Sequence, residues 1–94
     1  MNFEVKIPDA VIDELSHFPL ETRKRIAGSI KSLEEFPFPR GNAIRKIRST
    51  NKPIYRLRVG DYRVIYHLDT AKRQVLVLTV VHRQRLEQAL KTIL

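Results

Sequence analysis

The stretch Tyr55–Tyr66 constrains the fold most, because it has the pattern of a tight β-hairpin. It reads YRLRVGDYRVIY, and Gly60-Asp61 suits the primed two-residue turns whose twist matches that of the flanking strands. Such a turn determines the pairing register, so Arg58 should lie directly opposite Arg63. The chain is therefore expected to form at least one antiparallel pair of strands with two unlike faces.

The alternation along this hairpin separates an apolar face from a basic one. The apolar face should pack into a core and comprises Tyr55, Leu57, Val59, Tyr62, Val64 and Tyr66. The other face carries Arg56, Arg58 and Arg63, with Ile65 and His67 beside them. Like charges directly opposite each other on a sheet are destabilising, so the Arg58–Arg63 pair indicates a site for an anion.

The positive charge is concentrated in the same region. Residues 40–63 hold eight Lys and Arg against one acidic residue, a net charge of +7 in a chain whose total is +8. Residues 1–35 hold five basic and seven acidic residues, a net charge of −2. A basic surface concentrated on one sheet is typical of proteins that bind polyanions, most often nucleic acid. The alternative is a basic surface that serves only solubility.

Composition excludes several classes of function. The 94 residues suffice for one modest core, and we expect a single domain over residues 1–94. Without cysteine there are no disulfides or thiolate nucleophiles. The three glycines form no phosphate-binding loop and the three histidines lack the spacing of metal ligands, so no metal or cofactor is expected. No apolar run approaches the roughly 20 residues of a membrane span, and we expect a cytoplasmic protein without a membrane partner.

Hydrophobic periodicity predicts the other elements. Residues 2–7 alternate as a strand does, and the spacing of Val11, Leu15 and Phe18 predicts a helix that begins at Asp9 and ends before Pro19. A second helix over 20–36 should form an antiparallel hairpin with the first. Phe36 and Phe38, after this helix, are expected to cover the core.

The second half of the chain reads as β-structure. Strands are predicted over 44–48, 54–59, 62–68 and 74–82, and a terminal helix over 84–94. The last strand contains VLVLTVV, so it is expected to be buried on both faces at the centre of the core.

This order of elements resembles the RelE/ParE family of toxins from bacterial and archaeal toxin–antitoxin modules. The likeness extends over nearly the whole chain, and its most specific segments are Tyr55–Arg58 (YRLR), Gly60–Tyr66 (GDYRVIY) and Val81–Arg83 (VHR). The resemblance implies an α+β fold of the RelE type. In that fold an N-terminal strand and an antiparallel helix hairpin pack on a twisted, mainly antiparallel β-sheet, followed by a short C-terminal helix.

The resemblance also implies functions for individual residues. RelE-like members cut messenger RNA in the ribosomal A site and are silenced by an antitoxin, whereas ParE-like members poison DNA gyrase. By similarity, Arg63 is the main phosphate-stabilising arginine, Arg83 is the second active-site arginine, and Arg56 and Arg58 contact RNA. The implied partners are a small cognate antitoxin, the ribosome and messenger RNA. The tyrosine that often follows the last arginine has no counterpart in 87–90, which reads EQAL.

The chemistry of RNA cleavage gives these residues their roles. When the 2′-hydroxyl attacks the neighbouring phosphate, the protein must remove a proton, stabilise phosphoryl charge and protonate the leaving 5′-oxygen. Arginine suits the second task, because its planar fork binds phosphate oxygens bidentately. The candidates for proton transfer are His82, His67 and Glu87. The basic strand 44–48 adds three expected RNA contacts, namely Arg45, Lys46 and Arg48.

Three functions remain open on the sequence. The chain is a ribosome-dependent RNase toxin, a gyrase inhibitor of the ParE type without catalysis, or a simple nucleic-acid-binding module. Tyr62 and Tyr66 fall on the core face by the register count, so a structural role is expected for both.

Overall fold

Residues 2–94, which the computed structural model describes, form a five-stranded sheet with helices on both of its faces. In chain order the elements are β1 (Glu4–Lys6), α1 (Asp9–Ser16), α2 (Leu20–Ser32), β2 (Ile44–Lys46), β3 (Ile54–Val59), β4 (Tyr62–Asp69), β5 (Gln74–His82) and α3 (Leu86–Ile93), with a 3-10 turn over Arg83–Arg85. The strand order is β1-β5-β4-β3-β2. Only β1 and β5 are parallel, so the sheet is mainly antiparallel, as predicted.

The hairpin of β3 and β4 has the predicted register. Arg58 pairs with Arg63, and Val59 pairs with Tyr62 across the turn. Gly60 has a φ of +58°, in the left-handed region that glycine adopts without strain. The alternate residues of the apolar face pack into one core with α1 and α2, which contribute Val11 and Ile26, and Tyr55 and Tyr62 are its half-buried members. The prediction that the hairpin has one apolar face and one basic face is therefore confirmed.

The segment after α2 differs from the prediction. The helix ends at Ser32 instead of Phe36, and the chain continues through turns to Glu35. Pro37 is fully buried, whereas the side chains of Phe36 and Phe38 are 43% and 37% exposed. Phe38 contacts the buried ring of Phe3 edge-on, with 5.5 Å between centroids. The two phenylalanines thus cover the core only at its rim.

The strand at the centre of the sheet is β4 and not β5 as expected. Val64, Ile65 and Tyr66 are consecutive and fully buried in β4. β5 is covered completely on the side of α1 and α2 but only in part on the other side, where Leu76 is 38% exposed. One short helix, α3, covers that second face, and it does not reach the whole of β5.

A β-bulge interrupts the pairing of β4 with β5. Ile65 pairs with Thr79 and Tyr66 with Val77, so Leu78 is the extra residue. The carboxylate of Glu14, on α1, accepts hydrogen bonds from the Thr79 hydroxyl at 3.1 and 3.3 Å. It also accepts one from the Val80 amide at 3.4 Å. A helix side chain therefore satisfies polar groups at the irregularity.

The second face of the sheet is divided into an apolar half and a basic half. A small cluster of Ile47, Ile54 and Ile65 is buried beneath α3, which contributes Leu86, Leu90 and Ile93. The arginines nearer the Gly60 turn lie outside this cluster. None of the helices within residues 2–94 combines the length and the apolar character that crossing a membrane requires.

Candidate functional site

Arg63 is held in place by the hairpin turn. Its Nη1 donates hydrogen bonds to the carbonyl oxygens of Gly60, at 2.9 Å, and Tyr62, at 2.8 Å. These two bonds use both protons of Nη1, so the edge formed by Nε and Nη2 remains as a bidentate fork for an anion. The side chain is half-buried, which restricts its orientation.

Arg83 reaches the same turn from the end of β5. Its backbone amide donates to the Asp61 carbonyl oxygen at 2.7 Å, and its Nε lies 3.7 Å from Asp61 Oδ1. Both side chains of this ion pair are more than half exposed, so the pair orients Arg83 without neutralising it strongly. Arg63 and Arg83 are thus brought to one turn although 20 positions separate them in the sequence.

Arg56, Arg58 and Arg83 lie close enough to Arg63 to influence its charge. Burial, together with the charges of Arg56, Arg58 and Arg83, lowers the pKa of Arg63, while Asp61 opposes the shift. A lowered pKa means that the folded chain disfavours the positive form of Arg63. We call Arg56, Arg58, Arg63 and Arg83 the arginine cluster. An anion bound among these four arginines would relieve that cost.

The basic face extends beyond the hairpin onto β2. Arg45 pairs with Arg56, so a second pair of like charges lies beside the Arg58–Arg63 pair. This second pair could not be identified from the sequence. The segment between β2 and β3 has no tight turn from which the register could be counted.

The other two residues predicted in this basic segment are placed differently. Lys46 pairs with Tyr55, a residue of the apolar face, so its position is on the opposite face from Arg45. Its Nζ donates to the carbonyl oxygens of Thr50 and Lys52, each at 3.3 Å. Arg48 follows the strand and is exposed. Neither residue belongs to the arginine cluster.

His82 lies near the cluster but in a different row of the sheet. His82 pairs with Tyr62, whereas Arg63 pairs with Val81. The side chains of His82 and Arg63 therefore leave the backbone on opposite faces of the sheet. The His82 ring stands edge-on to Tyr62, with 5.5 Å between centroids. Its Nδ1 accepts the Gln84 amide at 3.2 Å, which leaves Nε2 to carry the proton in the neutral ring.

The alternative proton-transfer candidates are separated from the cluster. His67 is four residues from Arg63 along β4, about 13 Å at the usual rise of a strand, and it pairs with Ile54 and Leu76. Glu87 is in the first turn of α3 and lines a depression of about 440 Å³ with Ser49 and Leu94. The structure therefore does not bring either residue to Arg63.

The two tyrosines of β4 are on the core face, as predicted. Tyr66 is fully buried and its hydroxyl donates to the Pro37 carbonyl oxygen at 2.7 Å. Tyr62 is half-buried and packs against Phe18, with 5.0 Å between ring centroids.

One basic residue near the turn was not identified from the sequence. Arg25, on α2, lies so close to Gly60 that a Cβ placed on the glycine would be 3.0 Å from Arg25 Nη1. The helical pattern shows only that Arg25 lies outside the apolar stripe of α2, and no local signal indicates which part of the sheet it meets. Within residues 2–94, no three His, Cys, Asp or Glu side chains come together as a metal site would require.

Comparison with known proteins extends these observations. Residues 6–87 match the family model described as the ParE toxin of the type II toxin–antitoxin system parDE. The chain is 32% identical to a chain of the archaeal RelE–RelB complex from Pyrococcus horikoshii, with a TM-score of 0.78 over 90% of this chain and 99% of that one. No match was found among curated protein sequences.

Two more distant structures have the same fold. A chain of the RelBE2 toxin–antitoxin complex from Mycobacterium tuberculosis is 20% identical, with a TM-score of 0.75 over 88% of this chain and 100% of that chain. A mutant of the E. coli toxin RelE in the free state is 22% identical, with a TM-score of 0.72 over 100% of both chains. The chain therefore belongs to the RelE/ParE family and is a toxin of a type II toxin–antitoxin system.

Proposed function

We propose that this toxin is a ribosome-dependent endoribonuclease that cuts messenger RNA in the A site. The observation that carries the proposal is the convergence of Arg63, in β4, and Arg83, directly after β5, on the Gly60-Asp61 turn. Arg63 is oriented by two carbonyl oxygens and keeps one edge of its guanidinium for an anion. Preorganised donors of this kind are worth most where negative charge develops during a reaction.

In the proposed reaction the 2′-oxygen of the RNA forms a bond to the adjacent phosphorus as the bond from phosphorus to the 5′-oxygen breaks. One proton leaves the 2′-hydroxyl and one proton must reach the departing 5′-oxygen. Arg63 and Arg83 stabilise the additional charge on the phosphoryl oxygens. Arg56 and Arg58 hold the strand through its neighbouring phosphates.

His82 is the residue we assign to proton transfer. Since Nδ1 accepts the Gln84 amide, the neutral ring presents a proton on Nε2. The neutral ring can therefore donate a hydrogen bond to the 5′-oxygen. The proton itself is transferred when the ring has taken up a second proton at Nδ1, so that neutral imidazole remains afterwards. His82 is adjacent to Arg83 in the chain, at the end of β5, which keeps it at the same edge of the sheet as the arginine cluster.

The partner that restrains this activity is proposed to be a small acidic antitoxin, partly disordered when free. The structures of relatives include toxin–antitoxin complexes, such as the archaeal RelE–RelB complex. A net charge of +8 favours an acidic partner, and a segment that folds on binding can cover a large surface. Co-expression with the small protein of the neighbouring reading frame, followed by a pull-down, tests this proposal. Recovery of the toxin alone, without growth arrest on expression, would contradict it.

A ribosomal target would place the toxin in the cytoplasm.

The catalytic proposal is tested by single-turnover cleavage on ribosomes programmed with a defined A-site codon. Arg63→Ala and Arg83→Ala should each reduce the cleavage rate by on the order of 100- to 1,000-fold, the usual cost of losing one preorganised donor. Arg56→Ala and Arg58→Ala should chiefly weaken binding. His82→Gln should reduce the rate at saturating ribosome concentration without affecting binding.

The matched control is Arg73→Gln. Arg73 precedes β5 at the opposite end of the strand from Arg83, and its guanidinium lies over the ring of Phe3. This variant should cut at the rate of the wild type. Wild-type rates for folded Arg63→Ala and Arg83→Ala would show that the site assignment is wrong.

A second function is favoured by two observations. The family model that matches residues 6–87 is that of ParE, and ParE-like toxins inhibit gyrase without cutting RNA. The sequence also lacks the tyrosine that often follows the last arginine of RelE-like enzymes. Intact transcripts after induction, together with inhibition of supercoiling by purified gyrase, would establish this alternative in place of the RNase.

A further inference from the structure

A basic depression lies at the outer edge of the sheet, beside β2. It has a volume of about 540 Å³ and is lined by Arg40, Arg45, Lys46 and Arg48, together with Pro39, Gly41 and Ile44. None of these lining residues is acidic. We call this feature the β2 depression. Four cations around one concavity constitute a strong local positive field.

Two of the four cations of the β2 depression are oriented by hydrogen bonds to neutral groups. Arg45 donates through Nε to the Gly41 carbonyl oxygen at 3.4 Å and through Nη2 to Asn42 Oδ1. Lys46 donates to two backbone carbonyl oxygens. Across residues 2–94, the one ion pair within 4.0 Å is Arg83–Asp61, at a different place on the sheet. The charge of the depression is thus positioned but not compensated.

Exposed aromatic rings adjoin the β2 depression. The guanidinium of Arg40 lies over the ring of Phe36, 5.5 Å from its centroid, and Phe36 contacts Phe38 edge-on at 5.5 Å. The Phe36 side chain is 43% exposed. Aromatic rings beside a basic groove are the usual platform for the bases of single-stranded nucleic acid, because every base has a face that can stack.

Arg45 connects the β2 depression to the arginine cluster. Arg45 contributes to the depression and pairs with Arg56 of the cluster. β2 and β4 are separated only by β3, which places the depression about 10 Å from the strand of Arg63. One extended polyanion could therefore occupy both.

We propose that the β2 depression and Phe36 bind a stretch of the single-stranded RNA substrate that flanks the cut phosphate. Arg40, Arg45 and Arg48 contact its phosphates, and Phe36 stacks on a base. The inference rests on the proposed RNase function and adds a second subsite to it. RNA fits better than an acidic peptide, because the depression extends the basic face of the proposed cleavage site through Arg45, and the exposed ring of Phe36 gives a base a face to stack on.

The test measures binding of a fluorescent single-stranded RNA of about 12 nucleotides, within the range that such sites cover. Its 2′-oxygens are methylated so that it cannot be cut. Phe36→Leu keeps an apolar side chain and removes the ring, and it should weaken binding by about 5- to 150-fold, the range for one base–aromatic stack. The double variant Arg40→Gln, Arg48→Gln should lower the salt dependence of log K by about 1.4, or about 0.7 for each phosphate that is no longer neutralised.

Arg73→Gln is again the matched control, because Arg73 lies over Phe3 at 4.8 Å as Arg40 lies over Phe36, but it does not line the depression. It should bind RNA as the wild type does. Thermal melts of each variant exclude misfolding as the cause of a loss. Full RNA affinity in folded Phe36→Leu and in the double variant, with Arg56→Ala weakened, would overturn the second subsite and leave the proposed function standing.

Two further outcomes separate the sources of failure. If these variants lose affinity for the antitoxin but not for RNA, the depression is a protein-binding surface and the inference is wrong. If the wild-type chain cuts messenger RNA on ribosomes but binds no free RNA at physiological salt, the inference is wrong and the proposed function stands. Loss of RNA affinity in both depression variants, with cleavage chemistry unchanged at saturating substrate, supports the subsite.

Discussion

At the scale of single residues, Arg58 and Arg63 face each other across the hairpin but are held differently. Arg63 donates two hydrogen bonds to carbonyl oxygens of the turn and is half-buried. Arg58 is exposed, and its backbone amide, not its side chain, is the group that pairs with Ala43. Both arginines contribute to the repulsion between them, but only the side chain of Arg63 forms hydrogen bonds that stabilise the turn.

Removal of Arg58 and removal of Arg63 should therefore change the free energy of unfolding in opposite directions. Arg58→Gln should increase the free energy of unfolding by about 0.2 to 1 kcal/mol, since a pair of like charges is removed. Arg63→Ala should decrease it by about 1 to 3 kcal/mol, because hydrogen bonds from a charged group disappear together with the repulsion. Urea denaturation of both variants measures these changes. Equal increases in the two variants would show that the bonds to the turn contribute nothing.

The two tyrosines of β4 provide a second comparison. Tyr66→Phe should cost about 1 to 3 kcal/mol, because the Pro37 carbonyl oxygen loses its donor inside the core. Tyr62→Phe should be within about 0.5 kcal/mol of the wild type, since Tyr62 packs through its ring against Phe18. Thermal unfolding of both variants, with intact folding at low temperature, tests the difference. A larger loss for Tyr62→Phe would contradict it.

Tyr66 also predicts a dependence of stability on pH. Burial raises the pKa of Tyr66, with a smaller contribution from Tyr55. In the unfolded chain the phenol ionises near pH 10, whereas in the folded chain it stays protonated. Its contribution to stability is therefore fully present below about pH 10 and is lost as the pH rises above that value. Between pH 9 and 11, on this reasoning, the unfolding free energy of Tyr66→Phe should fall less than that of the wild type.

At the scale of elements, the bulge in β5 depends on a helix. Glu14 bonds to both the Thr79 hydroxyl and the Val80 amide, so α1 supports the strand segment that leads to Arg83. Glu14→Ala should destabilise the protein by about 1 kcal/mol, because the hydroxyl of the buried Thr79 is left without that acceptor. Glu21→Ala, at the exposed start of α2, is the matched control and should cost less than about 0.5 kcal/mol. Equal losses in urea denaturation would show that the interaction at the bulge is not specific.

The helix α3 should be the least stable element. It has eight residues, and none of them is fully buried, although Leu86, Leu90 and Ile93 pack on the cluster of Ile47, Ile54 and Ile65. Short helices are marginal unless packing supports them. We expect the amides of α3 to exchange with solvent much faster than those of β4 in native-state hydrogen exchange. Protection of α3 equal to that of β4 would contradict this order.

At the scale of the whole molecule, repulsion within the basic face should make stability depend on salt. Arg45 opposes Arg56 and Arg58 opposes Arg63 on adjacent strands. Salt screens such exposed charges, so the melting temperature should rise between about 0.01 and 0.15 M ionic strength, as the Debye length falls from about 30 to 8 Å. Arg58→Gln should show a smaller rise. A melting temperature of the wild type that falls over this range would indicate that attractive pairs dominate instead.

Local signals in the sequence determined most of the architecture. The Gly60-Asp61 turn defined the register of β3 and β4, and the periodicity of the helices and of the strand over 74–82 placed those elements correctly. These signals work because a tight turn and a buried stripe each depend on residues close together in the chain. The end of α2 was placed too late, because the turns that follow Ser32 still have helical spacing.

Only the tertiary structure decided which side chains meet at the candidate site. The amide of Arg83 bonds to Asp61, and this long-range hydrogen bond brings Arg83 to Arg63. From the sequence, only the family resemblance suggested that Arg83 and Arg63 belong to one site. The bulge at Leu78 shifts the pairing of β5, so His82 falls in the row of Tyr62 and not in that of Arg63. A bulge and a strand order arise from packing between segments far apart in the chain, and no local pattern of residues specifies them.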